Sequence, residues 1–168
     1  MASYVVNSAI DIALWFFDRA TREGNNIQAQ MLQRLTYISF GIYGARYHGR
    51  RLMPSVFVAN ELGPIDPNVY RVFEEGRPKL SKPSLPTEVE DFLEGIWAQF
   101  NHMSTDNLTK LVTQQAPYKT AIGKGNLESI DGSDIISGFL SPREPQETFR
   151  SADGRLVQKW NPKNAKPS

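Results

Sequence analysis

The run Ala59-Asn60-Glu61-Leu62-Gly63-Pro64-Ile65-Asp66-Pro67-Asn68-Val69-Tyr70 holds a stop, a turn and a helix start in one phrase. Gly63 and Pro64 end an extended segment, and the Asp66 side chain can accept from the next free amides. Pro67 suits the first helical position, where a missing N–H costs nothing. A strand therefore meets a helix here, and whatever the chain folds into must accommodate that corner.

Elsewhere helical periodicity dominates. Val5, Ala9, Ile12, Ala13, Phe16 and Ala20 form one stripe, so residues 4–23 are expected as an amphipathic helix. At 100° per residue Trp15 falls among the polar side chains of that helix, which requires either a covering element or a partner. Gly24-Asn25-Asn26 is a helix-start signal for residues 27–46. In that segment Ile27, Met31, Leu35, Ile38 and Ile42 define one face, while Tyr37, Phe40, Tyr43 and Tyr47 lie around the back. A helix apolar on most sides is central, or central on one side and covered by a partner on the other, and the central position is expected here.

Gly49 closes that segment, and residues 52–59, with Val56-Phe57-Val58, form the one convincing strand, expected in a short hairpin. A short helix from Asp66 to Gly76 follows, then a proline-containing loop over residues 77–86. Thr87-Glu88-Val89-Glu90 reads as a capping box ahead of the stripe Val89, Phe92, Leu93, Ile96, Trp97 and Phe100. Ser104 caps another helix that yields near Pro117, and Asp131-Gly132-Ser133-Asp134 precedes a last short helix closed by Pro142. The expected fold is mainly α: a compact helical domain over residues 1–140, with a central aromatic-rich helix and a small β-hairpin.

Residues 141–168 differ in kind. They carry six basic residues against three acidic, a balance of +3, which leaves the preceding body at −2. Asp153-Gly154 lies between Phe149 and the partly alternating Leu156, Gln158 and Trp160, a hairpin signal ahead of an end with disordered composition. The body has no broad positive footprint for nucleic acid, and none of its helices is a basic recognition helix. Its one concentrated basic patch, Arg46, His48, Arg50 and Arg51, reads as a solvated loop or a contact for an acidic partner.

Chemistry is sparse. With no cysteine there is no disulfide, thiol nucleophile or thiolate metal site. His48 and His102 lack the helical i, i+4 spacing of a hydrolytic metal site, and Gly123-Lys124-Gly125 is too short for a phosphate loop and reads as a turn. Glu88, Glu90, Asp91 and Glu94 follow capping and helix-dipole preferences more simply than acid/base pairing. No catalytic residue, metal or cofactor is expected. The first residues lack a basic leader region and their apolar stretch is interrupted by Asn7, Asp11 and Asp18, so the expectation is a cytoplasmic protein with no membrane span.

Several phrases together are similar to one bacterial and phage family, the Panacea antitoxin domain, which includes SocA-like antitoxins and GepA-like phage proteins. Ala9-Ile10-Asp11-Ile12-Ala13 resembles its first helix, and Leu32-Gln33-Arg34-Leu35-Thr36-Tyr37 resembles its Leu-Gln-Lys-Leu-x-Tyr pattern, with arginine for lysine. Gly63-Pro64-Ile65-x-Pro67-x-Val69-Tyr70 is similar to its Gly-Pro-Val-x-Pro-x-Val-Tyr core. Leu108 through Pro117-Tyr118 resembles a later segment ending in Pro-Trp, with Tyr118 where tryptophan is typical and Gln115 where an acidic residue is common. The helix from Ile135 to Leu140 resembles the closing helix, and the tail lies outside the resemblance.

The resemblance implies an antitoxin that neutralises a protein toxin, encoded by a neighbouring gene, through direct binding. Alternatives of the same class are an adaptor that delivers the toxin to a protease and a phage-associated interaction module without a toxin. Candidate partner-binding residues are Trp15, Tyr37, Gly63, Pro64, Pro67, Tyr70, Pro117, Tyr118, Phe149 and Trp160. Through the last two the tail would join in toxin binding or self-association; the alternative is that it folds back on the domain and covers Trp15.

Overall fold

In the computed structural model, which describes residues 3–140, 148–150 and 156–158, Ser8 starts the first helix. Its backbone is extended and its hydroxyl accepts from the Ile10 N–H, so α1 runs Ala9–Arg22, not from residue 4. The residues before it are taken by another segment: Val5 and Val6 N–H donate to the carbonyls of Arg51 and Leu52 at 3.2 and 2.8 Å. Hydrogen bonds to a distant segment override a helical apolar pattern that lacks a cap at its start.

The second helix, α2 (Ala29–Arg46), begins after an extended Gln28 that gives no side-chain cap, two residues beyond the expected start. It is the centre of the domain: Leu32 through Gly41 are all buried, and it packs against α1, α4 (Thr87–Phe100), α5 (Thr105–Thr113) and α7 (Gly132–Gly138). Close approach to α7 depends on Gly44, where a Cβ would overlap the Ile136 side chain.

Only the end of the expected strand at residues 52–59 is a strand. β1 is Phe57–Asn60, whereas Leu52 and Met53 are buried in irregular backbone beside the start of the chain. The chain reverses at Glu61-Leu62, one step earlier than expected, and Gly63–Ile65 is itself the second strand, β2, with Ala59 opposite Pro64 and Asn60 opposite Gly63. Pro64 is tolerated because β2 is an edge strand. A third strand, β3 (Glu128–Ile130), which the sequence pattern did not reveal, pairs antiparallel with the other side of β1. Phe57 anchors this sheet on α2 through edge-on contacts with Tyr37 at 5.1 Å and Phe40 at 5.5 Å. Burial of a ring of that size contributes about 2–3 kcal/mol.

Asp66 caps α3 (Pro67–Val72) as expected, accepting from Asn68 N–H at 2.8 Å and Val69 N–H at 3.2 Å; turns carry the chain on to Gly76. At α4 the capping box is not formed: Pro86 occupies the cap position, Thr87 is the first helical residue, and no side chain caps the end. Ser104 does cap α5, through the Asn107 N–H. Pro117 opens a further helix, α6 (Ala116–Lys124), so Gly123-Lys124-Gly125 is a helix end and not a free turn. Asp131 caps the start of α7 by accepting from Asp134 N–H, and α7 stops at Gly138.

The chain divides into two units, Met1–Gly138 and Phe139–Ser168. Within the second, β4 (Thr148–Arg150) and β5 (Leu156–Gln158) form an antiparallel pair with Phe149 opposite Val157. Asp153, Gly154 and Trp160 lie outside the described residues.

Candidate functional site

The phrases Leu32 to Tyr37 and Gly63 to Tyr70 meet in space. Gln33 and Arg34 are polar residues in the most buried stretch of α2, and both reach the β1–β2–α3 corner. The Gln33 side chain accepts from Asp66 N–H at 2.8 Å and donates to Asp66 C=O at 3.3 Å. The Asp66 carboxylate, itself buried, then caps α3 and accepts from the Ser55 hydroxyl at 2.6 Å.

Arg34 has no carboxylate partner. Its Nη1 donates to Pro64 C=O at 2.8 Å, its Nη2 to Leu62 C=O and to Gln30 Oε1, and its Nε to Thr109 Oγ1 at 2.9 Å. The guanidinium therefore occupies the place of a fourth strand, taking carbonyls that the edge of β2 cannot pair. Burial lowers its pKa to about 10. Gly63, at φ +130°, is required beneath it, because a Cβ there would overlap the guanidinium. Tyr118 closes the other side by donating its hydroxyl to Asn60 C=O at 2.7 Å; burial raises the pKa of that phenol.

The ten candidate residues fall into four groups. Tyr37, Gly63, Pro64, Pro117 and Tyr118 are buried: Gly63, Pro64 and Tyr118 at the corner, Tyr37 against Phe57 of β1, and Pro117 at the start of α6. Pro67 and Tyr70 are at the surface, Tyr70 with 49% of its area exposed. Trp15, only 6% exposed, is buried although it falls among polar side chains, with its ring edge-on to that of its chain neighbour Phe16 at 5.3 Å. It lines a cleft of about 470 Å³ with Asp18, Lys82, Glu90, Asp91 and Glu94. Phe149 is described only in its backbone pairing, and Trp160 not at all.

The carboxylates around that cleft are partly committed. Asp18 is held by Arg77 at 2.7 Å and Glu94 by Arg19 at 3.0 Å. Nearby, the hydrogen bond from Trp97 Nε1 and then the one from Arg19 hold the Glu23 carboxyl below its ordinary range. In the basic patch Arg46 lies over the Phe92 ring and Arg51 over the Phe40 ring, at 5.4 and 5.7 Å, while His48 and Arg50 are exposed. Among the described residues no group of three His, Asp or Glu side chains is placed to hold a metal ion, and no helix is long and apolar enough to cross a membrane.

Sequence reasoning missed the roles of Gln33 and Arg34, although two polar residues in an otherwise apolar central helix were the available signal. It also missed Leu62 and Leu127, exposed at the ends of two neighbouring turns. Comparison with protein-family models, with curated proteins and with solved structures gives no match for this chain.

Proposed function

We propose that this chain is an antitoxin that neutralises a protein toxin by direct binding in the cytoplasm, acting as a binding protein and not as an enzyme. The observation that supports this reading is the ordered set of Panacea-like phrases between Asn7 and Leu140. The two most specific of them, Leu32 to Tyr37 and Gly63 to Tyr70, are joined by the Gln33–Asp66 and Arg34–Pro64 hydrogen bonds. Such a corner is a scaffold. What it leaves for recognition is its surface, where Leu62 and Tyr70 are exposed.

Co-expression with the neighbouring reading frame tests the proposal. The expected result is that the neighbour alone arrests growth, that this chain restores it, and that the two purify as a complex. A neighbour without toxicity, or rescue without a complex, overturns the direct-binding reading. Loss of the neighbour's product in rescued cells, restored by removing a protease, would place the chain among delivery adaptors.

A further inference from the structure

Leu62 and Leu127 are 63% and 55% exposed and sit in adjacent turns at one end of the three-stranded sheet. The turns are tied together: Glu61 N–H donates to Asn126 Oδ1 at 3.2 Å, and Leu127 N–H donates to Ala59 C=O at 2.7 Å. Behind them the backbone is fixed by Arg34 on the Leu62 carbonyl, by Tyr118 on the Asn60 carbonyl and by Asn60 Oδ1 on the Leu62 N–H. Two large apolar side chains are thus presented to water on stiff backbone, which lowers the ordering cost of binding.

Leu127 is also strained, at φ +69°. It holds the third position of the Gly125–Glu128 turn, where positive φ selects glycine or asparagine, and Asn126 sits one place too early to fill it. The other non-glycine residue with positive φ, His48, follows the C-terminus of α2, where a left-handed residue closes a helix. Leu127 owes its positive φ to the turn, which places a leucine where glycine or asparagine is favoured. Strain of this kind persists where surrounding structure imposes it and concentrates at binding sites.

The flanking charges bear on what is bound. Glu61 and Glu128, each next in sequence to one of the leucines, are exposed and have no ion-pair partner among the described residues, while the exposed cations Lys119 and Lys124 belong to α6. A two-fold contact between copies of this chain would bring those glutamates together. We infer that Leu62 and Leu127 form a preorganised apolar knob that inserts into an apolar socket with a basic rim on a partner protein. The inference rests on the antitoxin reading only in expecting that partner to be the toxin.

The test places a photocrosslinking amino acid at position 62 or 127 of the full chain, expressed from its own locus, with position 80, where Leu80 is 47% exposed, as control. The expected result is the same single adduct from 62 and 127, absent from 80, and reduced at least tenfold by the double variant Glu61→Lys, Glu128→Lys. Leu127→Gly, which relieves the positive φ while deleting the side chain, should reduce the adduct from position 62 without lowering thermal stability. No discrete adduct, an adduct between two copies, an equal adduct at 80 or indifference to charge reversal overturns the inference. Mass spectrometry separates the two readings. The neighbouring gene's product in a charge-dependent adduct supports both, and another protein in such an adduct keeps the knob but removes the toxin. A neighbour that co-purifies yet never crosslinks removes the knob alone; with neither adduct nor complex, both fall.

Discussion

Gln33 holds the backbone of Asp66 from both sides, accepting its N–H and donating to its carbonyl across 33 residues of chain. The pair replaces with one side chain the two hydrogen bonds a neighbouring strand would give. Gln33→Leu keeps the approximate shape and removes both bonds, leaving a buried donor and acceptor unpaired. Each such orphan costs about 1–3 kcal/mol, so a loss of roughly 2–4 kcal/mol is expected in urea denaturation, with native-like secondary structure in buffer. An unchanged midpoint would show that the corner is held by its other contacts.

Arg34 and Gly63 share one site, the guanidinium lying where a Cβ at 63 would stand. A lysine at 34 carries its donors on one nitrogen and cannot span Thr109, Gln30 and the carbonyls of Leu62 and Pro64 as the guanidinium fork does. Arg34→Lys should cost about 2–3 kcal/mol although it keeps the charge. Gly63→Ala meets both an unfavourable φ and the guanidinium itself, and a loss of roughly 3 kcal/mol is expected. In the double variant the lysine frees space for the methyl, so the combined loss should fall short of the sum. A double-mutant cycle by chemical denaturation checks this, and strict additivity would mean that the two residues do not share the site.

Val69 and Tyr70 separate scaffold from surface within one turn of helix. Val69 is fully buried and Tyr70 half exposed. Val69→Ala should lower stability by about 1.5 kcal/mol through lost apolar burial. Tyr70→Ala should change it by less than about 1 kcal/mol, since surface substitutions away from caps and cores have small effects. If Tyr70 contacts the partner, the same variant should weaken complex formation measured by calorimetry. A stable variant with full affinity removes Tyr70 from recognition.

Much of the fold was legible because local signals and packing agreed. Asp66-Pro67 is a helix start in the sequence and in the structure, and the apolar girth of α2 placed it at the centre. Elements were lost where a distant partner decided the outcome. Tyr4 and Val5 continue a helical stripe but are paired beside Arg51, and β3 has three residues whose strand character exists only against β1. Thr87-Glu90 has the letters of a capping box, yet Pro86 already supplies an extended cap residue and shifts the helix start by one. The site was legible in outline: its phrases were visible, while their contact through Gln33 and Arg34 spans about thirty residues, beyond any local pattern.

Tyr37 makes the central helix sensitive to alkali. Burial raises the pKa of its phenol above the ordinary 10.0, and Tyr43 and Tyr118 shift the same way for the same reason. Below pH 10 both folded and unfolded chains hold these protons, and the contribution to stability is complete. Above it the unfolded chain releases protons that the folded chain retains, so stability falls as pH rises, by up to about 1.4 kcal/mol per unit for each tyrosine. Arg34 acts in the opposite sense, because its folded pKa of about 10 lies below the ordinary guanidinium range and proton release would favour the folded chain. Its four hydrogen bonds to neutral acceptors all use those protons, which limits that compensation. Tyr37→Phe isolates the effect: the difference between the denaturation midpoints of the two proteins should be constant from pH 7 to 9 and shift against the tyrosine protein between pH 10 and 11.5, as only the tyrosine protein loses stability at this position. Parallel curves throughout would show that the Tyr37 phenol ionises as readily in the folded chain as in the unfolded one.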